Sequence, residues 1–176
     1  MEQDIGRECA GSGIDDGQLA QMAQRVADRL IEGGATLATA ESCTGGWIAK
    51  LLTDIAGSSA WFEGGGVTYS NALKQQLLGV ETSTLERHGA VSRETAVEMV
   101  GGALDRFGAS VAVAVTGIAG PTGGTADKPV GTVWIGWKLR GHPAQAELFR
   151  FDGDREAVRR QAVAAALHGV VRILTS

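Results

Sequence analysis

Three short segments of the chain carry residue types that can do covalent chemistry. The first is Glu41-Ser42-Cys43-Thr44-Gly45-Gly46. Ser42 falls where an apolar stretch gives way to an amphipathic one. Unpaired backbone N–H groups and the positive end of a helix favour an anion at such a junction. A serine there can attack a carbonyl while those N–H groups hold the tetrahedral oxyanion, which puts Thr44, Gly45 and Gly46 beside a substrate. The same residues also fit a helix cap with close packing, since Ser and Thr are preferred caps. Cys43 is a second candidate nucleophile, or a small buried side chain.

The second segment is Tyr69-Ser70-Asn71-Ala72-Leu73-Lys74. A serine nucleophile needs a base, and no histidine lies near Ser42 in sequence. A lysine held neutral can do that work. Its ordinary pKa of ~10.4 requires a desolvated or electropositive site. Lys74 is one of only four lysines, and Tyr69 is the single tyrosine. A phenol can relay a proton or orient an ammonium. A surface lysine and an interior tyrosine with its hydroxyl satisfied are the competing reading.

The third segment runs from Thr116 through Gly117, Ile118, Ala119, Gly120 and Pro121 to Gly124. Its glycines can expose backbone N–H groups as an anion cradle, or make a plain long loop. It lacks the G-K-[ST] of a Walker A loop and is not a dinucleotide fingerprint. Arg155 and Arg159, one helical turn apart, can meet a phosphate or simply be solvated.

These segments become one site only if the elements between them bring them together. Leu19, Met22, Ala23, Val26, Ala27, Leu30 and Ile31 keep one apolar face, and Gly33-Gly34 stops that helix. Thr36 to Glu41 reads as a strand. Thr44 is placed to cap a second helix that buries Trp47, Ile48, Leu51, Leu52 and Ile55 and ends at Gly57. Val67 to Tyr69 reads as a brief strand after Gly64-Gly65-Gly66. Ser70 or Asn71 caps a short helix ending at Gly79, and Ser92 caps a longer one. Val111 to Val115, five small aliphatic residues in a row, reads as a central strand covered on both faces. Thr132 to Leu139 and Ala146 to Phe151 are joined by too short a link for a parallel crossover, so they pair antiparallel. A helix starting near Asp154 ends the chain. The expected fold is α/β, a three-layer sandwich with a mixed, mostly parallel sheet. Its ligands should bind beyond the carboxyl ends of the parallel strands, where the three segments lie.

Length and composition restrict the alternatives. At 176 residues the chain suits one domain, expected over residues 18–176, after a polar, aperiodic stretch from Met1 to Gly17 expected to be a mobile tail. Glycine numbers 26, about twice its usual share of ~7%. The net charge of −4 argues against a general nucleic-acid binder, and no apolar run suits a membrane span. His88, His142 and His168 stand apart, Cys9 and Cys43 form no ligand pattern, and neither HExxH nor CxxC occurs. A metal site is therefore not expected. Two free cysteines and no leader pattern point to the cytoplasm.

Taken together, several motifs resemble the CinA C-terminal domain family. They are Ala40-Glu41-Ser42-Cys43-Thr44-Gly45-Gly46, Thr53-Asp54-Ile55-Ala56-Gly57-Ser58-Ser59, and Val67-Thr68-Tyr69-Ser70-Asn71 with Lys74. His88-Gly89-Ala90-Val91-Ser92, Thr116-Gly117-Ile118-Ala119-Gly120-Pro121 and Lys128-Pro129-Val130-Gly131-Thr132-Val133 follow in the same order. The resemblance runs from about Leu19 to the end of the chain. It implies hydrolysis of nicotinamide mononucleotide (NMN) to nicotinic acid mononucleotide and ammonia, a step of pyridine nucleotide recycling. It implies a five-stranded mixed sheet and a homodimer. By resemblance, Ser42 is the nucleophile, Lys74 the base and Tyr69 an assisting hydroxyl, while Ser58 or Ser59 and Thr116 line the pocket. Such chemistry requires no cofactor. The competing function is a non-catalytic nucleotide-binding or interaction module linked to competence or DNA damage.

Overall fold

The computed structural model describes residues 13–176. The expected tail falls mostly outside the described residues, as does Cys9. Asp16 and Gly17 instead open the first helix, because Asp15 and Gln18 form a reciprocal cap. That helix, α1, spans Asp16–Gly33 and ends in a left-handed Gly34. The further elements are β1 Leu37–Glu41, α2 Trp47–Thr53, a 3₁₀ turn Ser58–Ala60, β2 Phe62–Val67, α3 Asn71–Leu78, α4 Thr82–His88, α5 Arg93–Arg106, β3 Val111–Gly117, β4 Thr132–Leu139, β5 Gln145–Arg150 and α6 Arg155–Leu174.

The five strands form one sheet in the order β2-β1-β3-β4-β5. β1 pairs parallel with β2 and with β3, and β4 pairs antiparallel with β3 and with β5. Four strands therefore point one way and only β4 opposes them, which is the mixed, mostly parallel sheet expected. Alternating side chains give its faces different characters. Val111, Val113 and Val115 of β3 and Val133, Ile135 and Trp137 of β4 join the core formed with α1, α2 and α6. Ala40, Ala112 and Ala114 face the other way, onto α3 and α5. With these small residues on that face, α5 lies close to the sheet. A Cβ on Gly136 would stand 2.9 Å from the Ala96 carbonyl oxygen of α5. Among the described residues, no helix is long and apolar enough to cross a membrane.

Two expectations about elements fail for physical reasons. The strand expected over Val67 to Tyr69 instead spans Phe62–Val67, so Gly64, Gly65 and Gly66 lie within it and Thr68 and Tyr69 beyond its end. The glycines are small because neighbours crowd them: a Cβ on Gly65 would sit 2.0 Å from Thr39 Oγ1, and one on Gly66 2.7 Å from Leu77 Cδ2. The second helix also starts later than expected and ends earlier, at Thr53. Gly57 opens the 3₁₀ turn instead of closing that helix. α4 has no side-chain N-cap, so no local signal in the sequence marks it as a separate helix.

One contact fixes the short helix that carries Lys74. A Cβ at Gly102 of α5 would lie 1.9 Å from the carbonyl oxygen of Leu78, the last residue of α3. In an isolated helix Gly→Ala is favourable by about 1 kcal/mol. Here the obstacle is backbone, so overpacking wins, at roughly 1–3 kcal/mol. Gly102→Ala should lower the melting temperature by about 2–10 °C in a thermal scan; an unchanged or higher value would mean that α3 does not rest on Gly102.

Candidate active site

The register of the parallel strands sets the site. Glu41 pairs with Val67 on one side and with Val115 on the other, so Ser42, Thr68 and Thr116 all emerge at one end of the sheet. Two backbone bonds keep them level. Ser42 N–H donates to the Val115 carbonyl at 3.0 Å, and Thr68 N–H donates to the Glu41 carbonyl at 2.8 Å. The chain then turns into α3, where Ser70 caps the helix by accepting from Leu73 N–H. That turn directs Lys74 back toward β1.

Lys74 is 1% exposed, and Ser42 is 8% exposed. Lys74 Nζ lies 3.0 Å from Ser42 Oγ. It donates to the Thr68 carbonyl at 2.7 Å and to the Tyr69 carbonyl at 3.1 Å. A carbonyl only accepts, so two of the nitrogen's hydrogens are committed. The remaining direction faces the serine hydroxyl. Burial lowers the lysine pKa from 10.5 to about 8, opposed only by a nearby cysteine. The site thus holds a lysine that is partly neutral near pH 8, its lone pair directed at a hydroxyl.

The loop after Ser42 is held in two ways that the sequence did not reveal. Glu41 is buried, and its carboxylate accepts the N–H groups of Gly46 at 3.1 Å, Ile48 at 3.2 Å and Ala49 at 2.9 Å. Glu41, not Thr44, therefore satisfies the start of α2. The N-cap position is Gly46, which has no side chain, and Thr44 Oγ1 is buried without a partner. From the other side, Arg159 of α6 donates to the carbonyls of Cys43 at 3.0 Å and Thr44 at 3.1 Å, while stacking on Trp47. A buried strand-end acid followed by a glycine pair without a capping side chain was the available signal for Glu41.

This changes which groups can meet an anion. The N–H of Gly46 belongs to Glu41, and that of Gly45 donates to the Ser42 carbonyl at 3.0 Å. Neither is free to hold an oxyanion, contrary to expectation. Among the described residues, the N–H groups of Cys43 and Thr44 donate to no protein oxygen. Cys43 itself is not poised to react, because burial pushes its thiol up to about 12.

The other candidate residues divide. Thr116 lies beside Ser42, but its hydroxyl donates to the Ala90 carbonyl at 2.7 Å and so ties down the loop before α5. Gly117 and Gly120 are small for packing: a Cβ would meet Val133 Cγ2 at 2.7 Å and Val130 Cγ1 at 2.5 Å. Ile118 N–H donates to the Thr132 carbonyl, so this stretch offers less of an anion cradle than its composition suggests. Ala119 is buried in the core. Arg155 reaches the site from the start of α6, donating to the Gly120 carbonyl at 2.8 Å and to the Tyr69 hydroxyl at 3.2 Å. The Tyr69 hydroxyl therefore bonds to Arg155, and it is the carbonyl of Tyr69 that meets Lys74. Nor is the side chain interior, being 60% exposed.

Ser58 and Ser59 are not brought to this cluster. Their turn precedes β2, and the Trp61 carbonyl that follows accepts from Leu37 at the start of β1. They lie at the opposite end of the sheet from Ser42, roughly 17 Å away at ~3.3 Å per strand residue. Among the described residues there is no cluster of His, Cys, Asp and Glu that could hold a metal ion.

The family model described as CinA C-terminal domain matches residues 19–174. A nicotinamide-nucleotide amidohydrolase PncC of Escherichia coli (strain K12) is 55% identical over 154 residues, covering 88% of this chain and 93% of that relative. A protein of the same name from Pseudomonas putida is 52% identical, covering 89% of this chain and 98% of its own length. Among solved structures, the competence/damage inducible protein CihA from Agrobacterium tumefaciens superposes with a TM-score of 0.88 at 45% identity, over 94% of this chain and all of that one.

The Glu41 clamp yields a test. Glu41→Gln keeps shape but turns one acceptor into an N–H donor that faces backbone N–H groups. A buried donor left without its acceptor costs about 1–3 kcal/mol. The variant should melt about 2–10 °C lower than the parent. An unchanged melting temperature would mean that the start of α2 does not depend on that carboxylate.

Proposed function

The chain belongs to the CinA C-terminal domain family, and from that premise we propose that it hydrolyses the carboxamide of NMN, with Ser42 as nucleophile and Lys74 as its base. The observation that carries this reading is the placement of Lys74 Nζ, buried, bonded to two carbonyls and 3.0 Å from Ser42 Oγ. The amidohydrolase names of the relatives support the same reaction.

The steps follow from the contacts. Neutral Lys74 accepts the Ser42 proton as Oγ attacks the carboxamide carbon. The cationic pyridinium withdraws electrons from that carbon. Negative charge develops on the carboxamide oxygen, where the N–H groups of Cys43 and Thr44 can receive it, the first peptide held by Gly45 N–H on the Ser42 carbonyl and the second by Arg159 on the Cys43 carbonyl. Lys74 returns its proton to the leaving nitrogen, and ammonia departs from an acyl-serine. Water, deprotonated by the same lysine, then releases nicotinic acid mononucleotide and restores Ser42. Arg155 at the outer side of the site is the candidate for the substrate phosphate. Among the described residues it has no carboxylate partner, its protein contacts being a carbonyl and a phenol. Metal and cofactor have no part in these steps.

The first test is ammonia release from NMN. The parent protein and Cys43→Ala should both release it, while Ser42→Ala should lose at least about a thousandfold in kcat. If NMN is untouched by the parent, the protein is a binding module and the reading fails. If Cys43→Ala is the dead variant, the nucleophile is misassigned.

The pH profile tests the base. With a pKa of about 8, most Lys74 is protonated below pH 7 and cannot accept a proton. The rate should rise about tenfold per pH unit up to pH 8 and level off above it. Lys74→Arg should be nearly inactive at every pH, because a guanidinium does not deprotonate in this range. If Lys74 serves only to attract the phosphate, Lys74→Arg retains kcat and raises KM, and that result would remove it as the base.

A further inference from the structure

Hydrolysis of an amide leaves an acid, and the groups around Ser42 decide what becomes of it. Three donors converge there. Lys74 Nζ, buried and bonded to the Thr68 and Tyr69 carbonyls, turns its remaining direction to Ser42 Oγ at 3.0 Å. The N–H groups of Cys43 and Thr44 follow that serine directly and donate to no protein oxygen. Both precede Gly46, the N-cap position of α2, so they belong to the loop and not to the helix.

Among the described residues, no carboxylate bonds to any of these donors. Glu41 directs its oxygens at the N–H groups of Gly46, Ile48 and Ala49. Glu63 lies toward the other end of β2. On α5, which packs on α3, Glu94 faces His88, and Glu98 accepts from Glu81 N–H and Thr84. α3 has no ionisable group besides Lys74, and β3 has none. Burial keeps the Cys43 thiol protonated, at about 12. On α6 the charges are cationic: Arg155 donates to the Gly120 carbonyl and the Tyr69 hydroxyl, and Arg159 to the Cys43 and Thr44 carbonyls.

The last step of the proposed cycle supplies the missing anion. Water attacks the acyl-serine, its proton passes through Lys74 to Ser42 Oγ as the C–O bond breaks, and a carboxylic acid remains. One of its oxygens is the one that the Cys43 and Thr44 N–H groups received. The other comes from the water that Lys74 deprotonated. A carboxylic acid is a far stronger acid than an ammonium, so its proton moves to neutral Lys74. Turnover thus ends on an ion pair with charge-assisted bonds to both oxygens.

We propose that the Ser42–Lys74 site is also a carboxylate-binding site, in which the carboxylate of the product lies between the ammonium of Lys74 and the N–H groups of Cys43 and Thr44 and inhibits the protein that made it. The inference rests on the deamidation reading and deepens it: the substrate amide uses the neutral lysine, and the product uses the charged one. In the free protein burial brings Lys74 to about 8. Below that pH the ammonium is already present. Above it each bound product must bring a proton, so affinity falls as pH rises. Inhibition is tightest on the acid side, where attack on the amide is also slowest.

The experiment titrates nicotinic acid mononucleotide into the parent protein by calorimetry at pH 7 and pH 9, both above the phosphate pKa of ~6. Kd should be about tenfold weaker at pH 9, where buffers of different ionisation enthalpy should report about one proton taken up per product bound. The amide is the control. NMN bound to Ser42→Ala, which does not turn it over, should change by less than about threefold over this range, while the product keeps its tenfold loss on that variant. Lys74→Arg, its fold checked by circular dichroism, should bind the product equally at both pH values, because its charge is permanent. The proton count uses the unaltered protein, so it decides the matter even where Lys74→Arg does not fold. A Kd that is equal at the two pH values with no proton uptake overturns the inference, as does a product that does not bind. An equal loss for amide and carboxylate also overturns it, since the titrating group would then meet a part that both ligands share. A parent protein that releases no ammonia from NMN, yet binds the carboxylate with proton uptake, would overturn the deamidation reading and leave the carboxylate site standing.

Discussion

A lysine nitrogen enclosed by two carbonyls and a hydroxyl is the constraint on which the rest of this structure turns. Placing Lys74 Nζ there takes a charge-bearing group out of water, and it is tolerated because every direction around the nitrogen has a partner. Reaching that place needs three independent elements in register. β1 must end at Glu41, β2 must end one residue before Thr68, and α3 must turn immediately afterwards. The close seat of Leu78 on Gly102 and the Ser70 cap keep the short helix from drifting. Burial then does the chemical work, moving the lysine toward its neutral form without any neighbouring cation.

The nucleophile loop solves a complementary problem. A serine placed next to a helix start would ordinarily share the region with several unsatisfied N–H groups. Here Glu41 occupies those of the first turn of α2, and Arg159 occupies the loop carbonyls. What remains are the two N–H groups immediately after Ser42, and they belong to peptides whose positions are fixed from behind. The anion-holding groups of this site are thus selected by exclusion, with a buried acid removing the competitors.

Much of this was legible in the sequence, and the losses have identifiable causes. Ser42 and Thr116 sit at the ends of parallel strands and Lys74 on the short helix that follows the next one, and strand order with short caps is local information. The bounds of β2 are not legible because a glycine triplet is a weak strand signal, whereas these glycines answer to Thr39 on the adjacent strand and Leu77 on α3, which only tertiary contacts reveal. Thr44 was read as a cap because its type is right; the competing carboxylate comes from five residues before the N-cap position and leaves no pattern in a four-residue window. Ser58 and Ser59 came from family resemblance alone, and topology puts their turn at the wrong end of the sheet for a site within one chain. Tyr69 lies beyond the end of β2 at Val67, and which of its atoms meets Lys74 depends on the turn geometry after that strand, which residue spacing does not encode.

The central claim is that Lys74 is a neutral amine at the pH where the protein works. With only four lysines in the chain, its side chain can be followed by NMR using lysine labelled at the Cε and Nζ positions. Lys74→Arg identifies the resonance by its disappearance. The account predicts that this lysine titrates near pH 8, well below the usual ~10.4. A midpoint above pH 10 for Lys74 would leave it charged throughout and unable to take the proton of Ser42, contradicting the account.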